Sequence, residues 1–266
     1  MSKYNNNNNK LNKVPRIEII GISGIPEIKY KDNLARIIVS KSIEQGTPIE
    51  ENDIIIITQK IVSKSEGQIK NLINIKPSEY SIKLASKINK DPRLIELIIN
   101  ESKSIIRIDE KRSILITETK QGFICANAGI DNSNIPGSNN VSLLPKDPDK
   151  SANNICSDIS YLINQTPISV IITDTFGRAW RKGQVNFAIG TSRIEPLLDY
   201  MNEKDSQGKI LKSTNICIAD ELASAAELVN FKSNQIPVSI IRNYPYSISS
   251  SGAKEIIRAK NEDLFR

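Results

Sequence analysis

Between Ile168 and Gly190 the sequence reads ISVIITDTFGRAWRKGQVNFAIG. Ile168, Val170, Ile171 and Ile172 are β-branched and apolar, which suits a strand buried on both faces. Thr173, Asp174 and Thr175 are expected at that strand's end, Gly177 frees the backbone for a turn, and Arg178, Arg181 and Lys182 bring three cations close to Asp174 in sequence. A carboxylate placed beside cations in this way is suited to holding a metal-bound phosphate. The same residue types also cap ordinary turns and solvate ordinary faces, so the stretch alone leaves both readings open. A second carboxylate, Asp131, lies in QGFICANAGIDNSN (121–134), a loop too polar for a core. Asp131 could serve the same divalent ion, with Asn134 as a neutral polar contact, although such residues also close Asx-turns.

The positioning elements follow from periodicity. Four consecutive isoleucines, Ile54 to Ile57, predict a buried strand that delivers Gln59, Lys60 and Lys64 into the segment after it, where a lysine can meet a phosphate or simply be solvated. Residues 16–20 predict a short strand running into Gly21-Ile22-Ser23-Gly24-Ile25-Pro26-Glu27-Ile28, a turn whose amides could face a ligand or merely connect two elements. Helical spacing is expected over 33–42, capped by Asp32, and over 77–104 with a break at Asp91-Pro92. Residues 105–119 read as two strands around Glu110-Lys111, 151–163 and 220–229 as helices, and 237–242 as a last core strand. Residues 1–13, with five consecutive asparagines, read as a disordered tail outside the fold.

Composition narrows the chemistry. The 266 residues contain no histidine, which removes imidazole bases, Ser-His-Asp triads and imidazole metal ligands together. Cys125, Cys156 and Cys217 are odd in number and widely spaced, so they support neither a disulfide framework nor a zinc site. Catalysis must therefore run on carboxylates, lysine, arginine and bound metal. The formal charge of +6 favours anionic partners, but aromatics at 5% argue against a base-stacking nucleic-acid surface. No stretch approaches the ~20 apolar residues of a membrane helix and no signal peptide is recognised, so a cytoplasmic protein without membrane partners is expected.

Seven motifs, in order, carry a resemblance: GIPEI (24–28), QKIVSKSEG (59–67), DPRLIELI (91–98), GFICANAGIDNSN (122–134), LLPKDPD (143–149), ITDTFGRAWRKGQVNFAIG (172–190) and ADELASAAELV (219–229). Together they resemble the coenzyme F420-0:L-glutamate ligase family over most of the chain from Val14 to Arg242. The resemblance implies an α+β, two-lobed fold spanning 14–249, with 250–266 as a C-terminal segment, and an intertwined homodimer. It implies a GTP-dependent ligase that adds L-glutamate, and then further γ-linked glutamates, to coenzyme F420-0 through an acyl phosphate. Mg²⁺ or Mn²⁺ and K⁺ would assist.

Carried over by motif, Ile25, Pro26, Glu27, Ile28, Gln59, Lys60, Lys64 and Asn134 match nucleotide contacts. Asp131 and Asp174 match metal ligands, and Thr175 a neighbouring metal contact. Lys64, Arg178 and Arg181 are the cations expected to neutralise transfer charge. After ELV the family has a glycine-containing loop; here Asn230-Phe231-Lys232-Ser233-Asn234 stands in its place, with Asn230 as the candidate metal ligand and Lys232 as a candidate nucleotide contact. The rival readings are a nucleotide-responsive binding protein without chemistry and, on charge alone, a nucleic-acid binder.

Overall fold

The computed structural model describes residues 14–230 and 235–265; the asparagine-rich stretch 1–13 and Lys232 lie outside the described residues. In chain order the elements are β1 (Glu18–Gly21), α1 (Leu34–Glu44), β2 (Ile54–Thr58), α2 (Gln59–Ser65), β3 (Ile69–Asn71), α3 (Glu79–Ile88), α4 (Pro92–Asn100), β4 (Ser102–Asp109), β5 (Ile114–Thr119) and β6 (Ile124–Ala126). There follow β7 (Asn140–Ser142), α5 (Pro148–Leu162), β8 (Ser169–Arg178), β9 (Arg181–Ser192), β10 (Leu197–Asp199), β11 (Asn215–Cys217), α6 (Ile218–Asn230) and β12 (Val238–Arg242). The class is mixed α+β.

The main sheet has the order β1-β12-β2-β8-β9, and only β2 and β8 in it run parallel. Ile54 to Ile57 are fully buried at its centre because their side chains alternate between two cores. Ile55 and Ile57 join the cluster of α1 and α5 (Ile38, Ile155, Ile159), while Ile54 and Ile56 join that of α6 (Ala219, Leu222, Ala226). Each such side chain contributes about 1.5–3 kcal/mol by leaving water, so a run unbroken by polar residues is what a doubly covered strand requires. A third core, with Leu84, Ile88, Ile95, Ile98 and Leu115, lies among α3, α4 and the sheet β4-β5-β6.

Several expectations need correcting. Asn33, not Asp32, caps α1 by accepting from the Arg36 amide at 2.9 Å, whereas the Asp32 carboxylate closes the preceding turn on the Lys29 amide at 2.7 Å. Helical structure stops at Asn100, since Ser102 to Asp109 pair with β5. The segment after β2 is a helix starting directly at Gln59. Most consequential, β8 does not end at Thr173 to Thr175 but runs to Arg178. It continues through Asp174↔Phe187, Thr175↔Asn186, Phe176↔Val185 and Gly177↔Gln184, so Gly177 is a ladder residue and the turn is Ala179-Trp180. Backbone pairing with β9 keeps the strand extended after its side chains cease to be apolar, which is why periodicity gave too early an end.

Candidate active site

In an open sheet the carboxyl ends of adjacent parallel strands are where loops diverge and ligands bind. Here that place is the end of β2 beside β8, with Thr58 opposite Thr173. The next residue on one side starts α2; the next on the other is Asp174.

From its position α2 projects two lysines four residues apart, hence on one face. Lys60 Nζ donates to Asp131 Oδ2 at 2.7 Å and to the carbonyl and hydroxyl of Ser133, each at 2.8 Å. Lys64 Nζ donates to Glu27 Oε1 at 2.6 Å and to the Asn134 carbonyl at 3.0 Å. Three stretches far apart in sequence, Gly24–Ile28, Gln59–Lys64 and Asp131–Asn134, are thus joined by one short helix. Asn134 takes part through its backbone, at a positive φ of 54°.

Other members of the expected set play structural parts. Gln59 is buried and accepts from the Ser63 hydroxyl at 2.8 Å. Ile28 is in the α1–α5 core and Ile25 packs against it, leaving exposed Pro26 and Glu27 as the outward part of that turn.

Asp131 is fixed by its own strand bridge, its amide donating to the Ser142 carbonyl at 3.2 Å and its carbonyl accepting from the Ser142 amide at 2.8 Å. Burial acts to raise its carboxyl's pKa, but the Lys60 ammonium and the Ser133 hydroxyl and amide outweigh it and hold the group below the usual carboxylate range. Preceding this bridge, Asn127, Ala128 and Gly129 all have positive φ, with Ala128 at 55°. An alanine held left-handed marks a loop constrained by its surroundings; Asn127 accepts from Lys90 Nζ at 2.9 Å.

Asp174 lies near the strand leading to that loop. Burial first, and then the Asp174 carboxylate, push the Cys125 thiol of β6 up to about 12. Thr175 faces the opposite side of β8: its hydroxyl donates to Asn186 Oδ1 at 2.8 Å, and Asn186 Nδ2 donates to Glu227 Oε2 of α6 at 2.8 Å. The structure therefore does not bring the Thr175 hydroxyl together with the Asp174 carboxylate. Asn230, buried at the end of α6, accepts from the Ser239 hydroxyl, and its own Nδ2 has no partner among the described residues. Arg178 and Arg181 stand farther along the hairpin than Asp174. They are exposed beside the hairpin tip, roughly 13 Å along the strand at 3.3 Å per residue, and Arg178 donates to the Lys182 carbonyl at 3.2 Å.

Beside the three-way junction opens a cavity of about 710 Å³. Glu27, Ile28 and Lys64 line it as the motifs imply, and so do Lys29, Lys70, Lys146 and Glu66. Four lysines around one concavity suit a polyphosphate. Lys146 sits within LLPKDPD, but nothing in its spacing sets it apart from a solvated lysine, and Lys29 and Lys70 carry no signal at all. Among the described residues no three acidic or thiol side chains gather where they could hold a metal ion. Two carboxylates are nonetheless a sufficient protein share for Mg²⁺ or Mn²⁺ bound to a nucleotide, because phosphate oxygens and water complete the shell. The Lys60 ammonium against Asp131 shows that this carboxylate accommodates a cation.

A family model described as F420-0:Gamma-glutamyl ligase matches residues 23–243. The chain is similar to proteins named coenzyme F420:L-glutamate ligase. That of Methanothermobacter thermautotrophicus is 40% identical over 253 residues, covering 94% of this chain and 99% of the relative. For Methanococcus maripaludis strain C6 the figures are 43% over 254 residues, 94% and 98%. For Methanocaldococcus jannaschii they are 42% over 252 residues, 94% and 97%.

Proposed function

The chain belongs to the F420-0:gamma-glutamyl ligase family, and from that premise we propose that it is the ligase joining L-glutamate to coenzyme F420-0 at the expense of GTP, adding further glutamates by γ-linkage. The observation that carries the reading is the pair Lys60 and Lys64 on one face of α2, tying the Gly24–Ile28 turn to the Asp131–Asn134 loop at the rim of a lysine-lined cavity.

In this reading the cavity takes the triphosphate. A carboxylate oxygen of the acceptor attacks the γ-phosphorus, GDP departs, and an acyl phosphate forms. The amine of glutamate then attacks the acyl carbon, phosphate leaves, and the amine gives up a proton as the amide forms. Lys64, already the most enclosed cation of the set, neutralises charge on the phosphate oxygens during transfer. Lys60 holds Asp131 in place. Asp131 and Asp174 would hold Mg²⁺ or Mn²⁺, which supplies further neutralisation when bound. Asn230 and a K⁺ ion would belong to the periphery of that site, whereas the Thr175 hydroxyl, on the other face of β8, stands apart from it. Arg178 and Arg181 act from the hairpin tip. An intertwined homodimer would give this tip, with its exposed Trp180, a surface to meet.

Purified protein incubated with F420-0, glutamate, GTP and Mn²⁺ should gain product masses of one or more glutamyl units, with ATP as the control for nucleotide choice. Asp174→Ala should abolish this while leaving the fold, read by circular dichroism, unchanged. Full activity in that variant would remove the metal assignment. GTP binding without glutamate-dependent phosphate release would select a nucleotide-binding protein without chemistry instead.

A further inference from the structure

A second concavity, of about 250 Å³, shares no lining residue with the lysine-lined cavity and is built quite differently. Its floor is aromatic. Phe176 and Phe187 stack with centroids 5.9 Å apart and planes at 22°, and Phe123 meets Phe176 at 6.3 Å and 43°. Strand geometry ties this floor to the reaction centre. Phe187 is directly opposite Asp174 in the ladder and Phe176 is two residues on, so all three side chains share one face of the hairpin.

The opposite wall comes from the C-terminal segment, beyond the 23–243 stretch that the family model matches. Ile256, Ile257, Arg258 and Asp263 line the cavity. The segment is fastened at both ends. Asp149 Oδ1 accepts from the Ala253 amide at 2.8 Å and from the Thr191 amide of β9 at 2.9 Å, and Ala253 is fully buried. At the far end the Phe265 ring packs against Trp180 of the hairpin tip at 5.8 Å. Between these anchors Ile257 reaches so close to Gly122 that a Cβ there would lie 3.2 Å from it.

We propose that residues 252–265, with Phe123, Phe176 and Phe187, form the subsite for the flat ring of the acceptor, which the family resemblance implies to be a 5-deazaflavin precursor, and that Ile257 is a specificity-determining residue. The inference rests on the ligase reading for the identity of the acceptor. The volume falls below the ~300–1,000 Å³ of a site for a whole drug-sized ligand, as fits a slot for a ring whose tail extends toward Asp174. Aromatic faces on one side and isoleucine on the other provide stacking and apolar cover for a planar heterocycle. Asp220, whose carboxyl accepts from the Ala188 amide at 2.9 Å, and Asp263 line the same slot as acceptors for ring N–H and O–H groups. Among the described residues Arg258 is the one cation in the lining, and it stands exposed, suited to the acceptor's anionic tail.

The test is fluorescence anisotropy of F420-0 titrated with the full chain, without nucleotide, alongside steady-state kinetics. Ile257→Glu should weaken F420-0 binding by about tenfold or more and raise its KM to match, while the KM for GTP stays unchanged. Should that variant fold poorly, Ile257→Ala, which removes part of the wall without adding charge, should still weaken binding by about threefold. Folded variants that bind F420-0 as tightly as the wild type overturn the subsite, as does a wild type that does not bind it at all. A wild type that binds F420-0 in an Ile257-dependent way yet forms no glutamyl product leaves the subsite standing and removes the ligase reading.

Discussion

Lys64 donates to a glutamate and a backbone carbonyl while nine-tenths of its side chain is out of solvent. Its partner Glu27 is 57% exposed, so water can replace the ammonium there and the ion pair contributes no more than about 1 kcal/mol to stability. If Lys64 meets the phosphates as proposed, its loss is costly for catalysis and cheap for folding. Lys64→Met, which keeps the length and apolar stem but removes the charge, should raise the KM for GTP by about tenfold or more and shift the melting temperature by only a degree or two. Kinetics and a thermal melt on one preparation check this; an unchanged KM would take Lys64 out of the phosphate site. The charge pattern of QKIVSK shows in the sequence, whereas the partners do not, because they lie 37 and 70 residues away.

Among the elements, β2 and β12 are locked by a different kind of pair. Arg242 Nε and Nη2 donate to the two oxygens of Asp53 at 2.9 and 2.7 Å, and Asp53 is 1% exposed. Removing the guanidinium strands a buried carboxylate, so Arg242→Ala should cost about 3–5 kcal/mol. Urea melts should show a lower midpoint with an unchanged slope; a change under 1 kcal/mol would mean that Asp53 finds another partner. The same two strands show what an element's own sequence can carry. Ile54–Ile57 must be a doubly covered strand wherever they occur, and Asp91-Pro92 and Ser78 mark helix starts by local hydrogen bonding. The length of β8 was not legible, because its last residues are held by pairing with β9 and not by their own burial pattern.

For the molecule as a whole, the lysine-lined cavity is assembled from segments spread between Glu27 and Lys146, so a bound nucleotide would oppose unfolding of all of them at once. GTP with Mn²⁺ at about one hundred times its Kd should stabilise the chain by roughly 2.7 kcal/mol, read as a rise in melting temperature, and chelation of the metal should cancel most of it. No rise with GTP would count against a nucleotide site in this cavity.

By itself the sequence determined the kind of chemistry. Without histidine it left carboxylates, lysine and arginine for any acid–base work, its isoleucine runs marked buried strands, and its motifs indicated the family and, through it, an α+β ligase. Only the tertiary structure decided which of those residues meet. It joined Lys60 to Asp131 and Lys64 to Glu27, turned Thr175 away from Asp174, carried Arg178 and Arg181 out to a hairpin tip, and laid the C-terminal segment across three phenylalanines. Periodicity records which face of an element is dry, and that is a local property. Register across a sheet, and the neighbours it sets side by side, depend on partners that no single stretch of sequence contains.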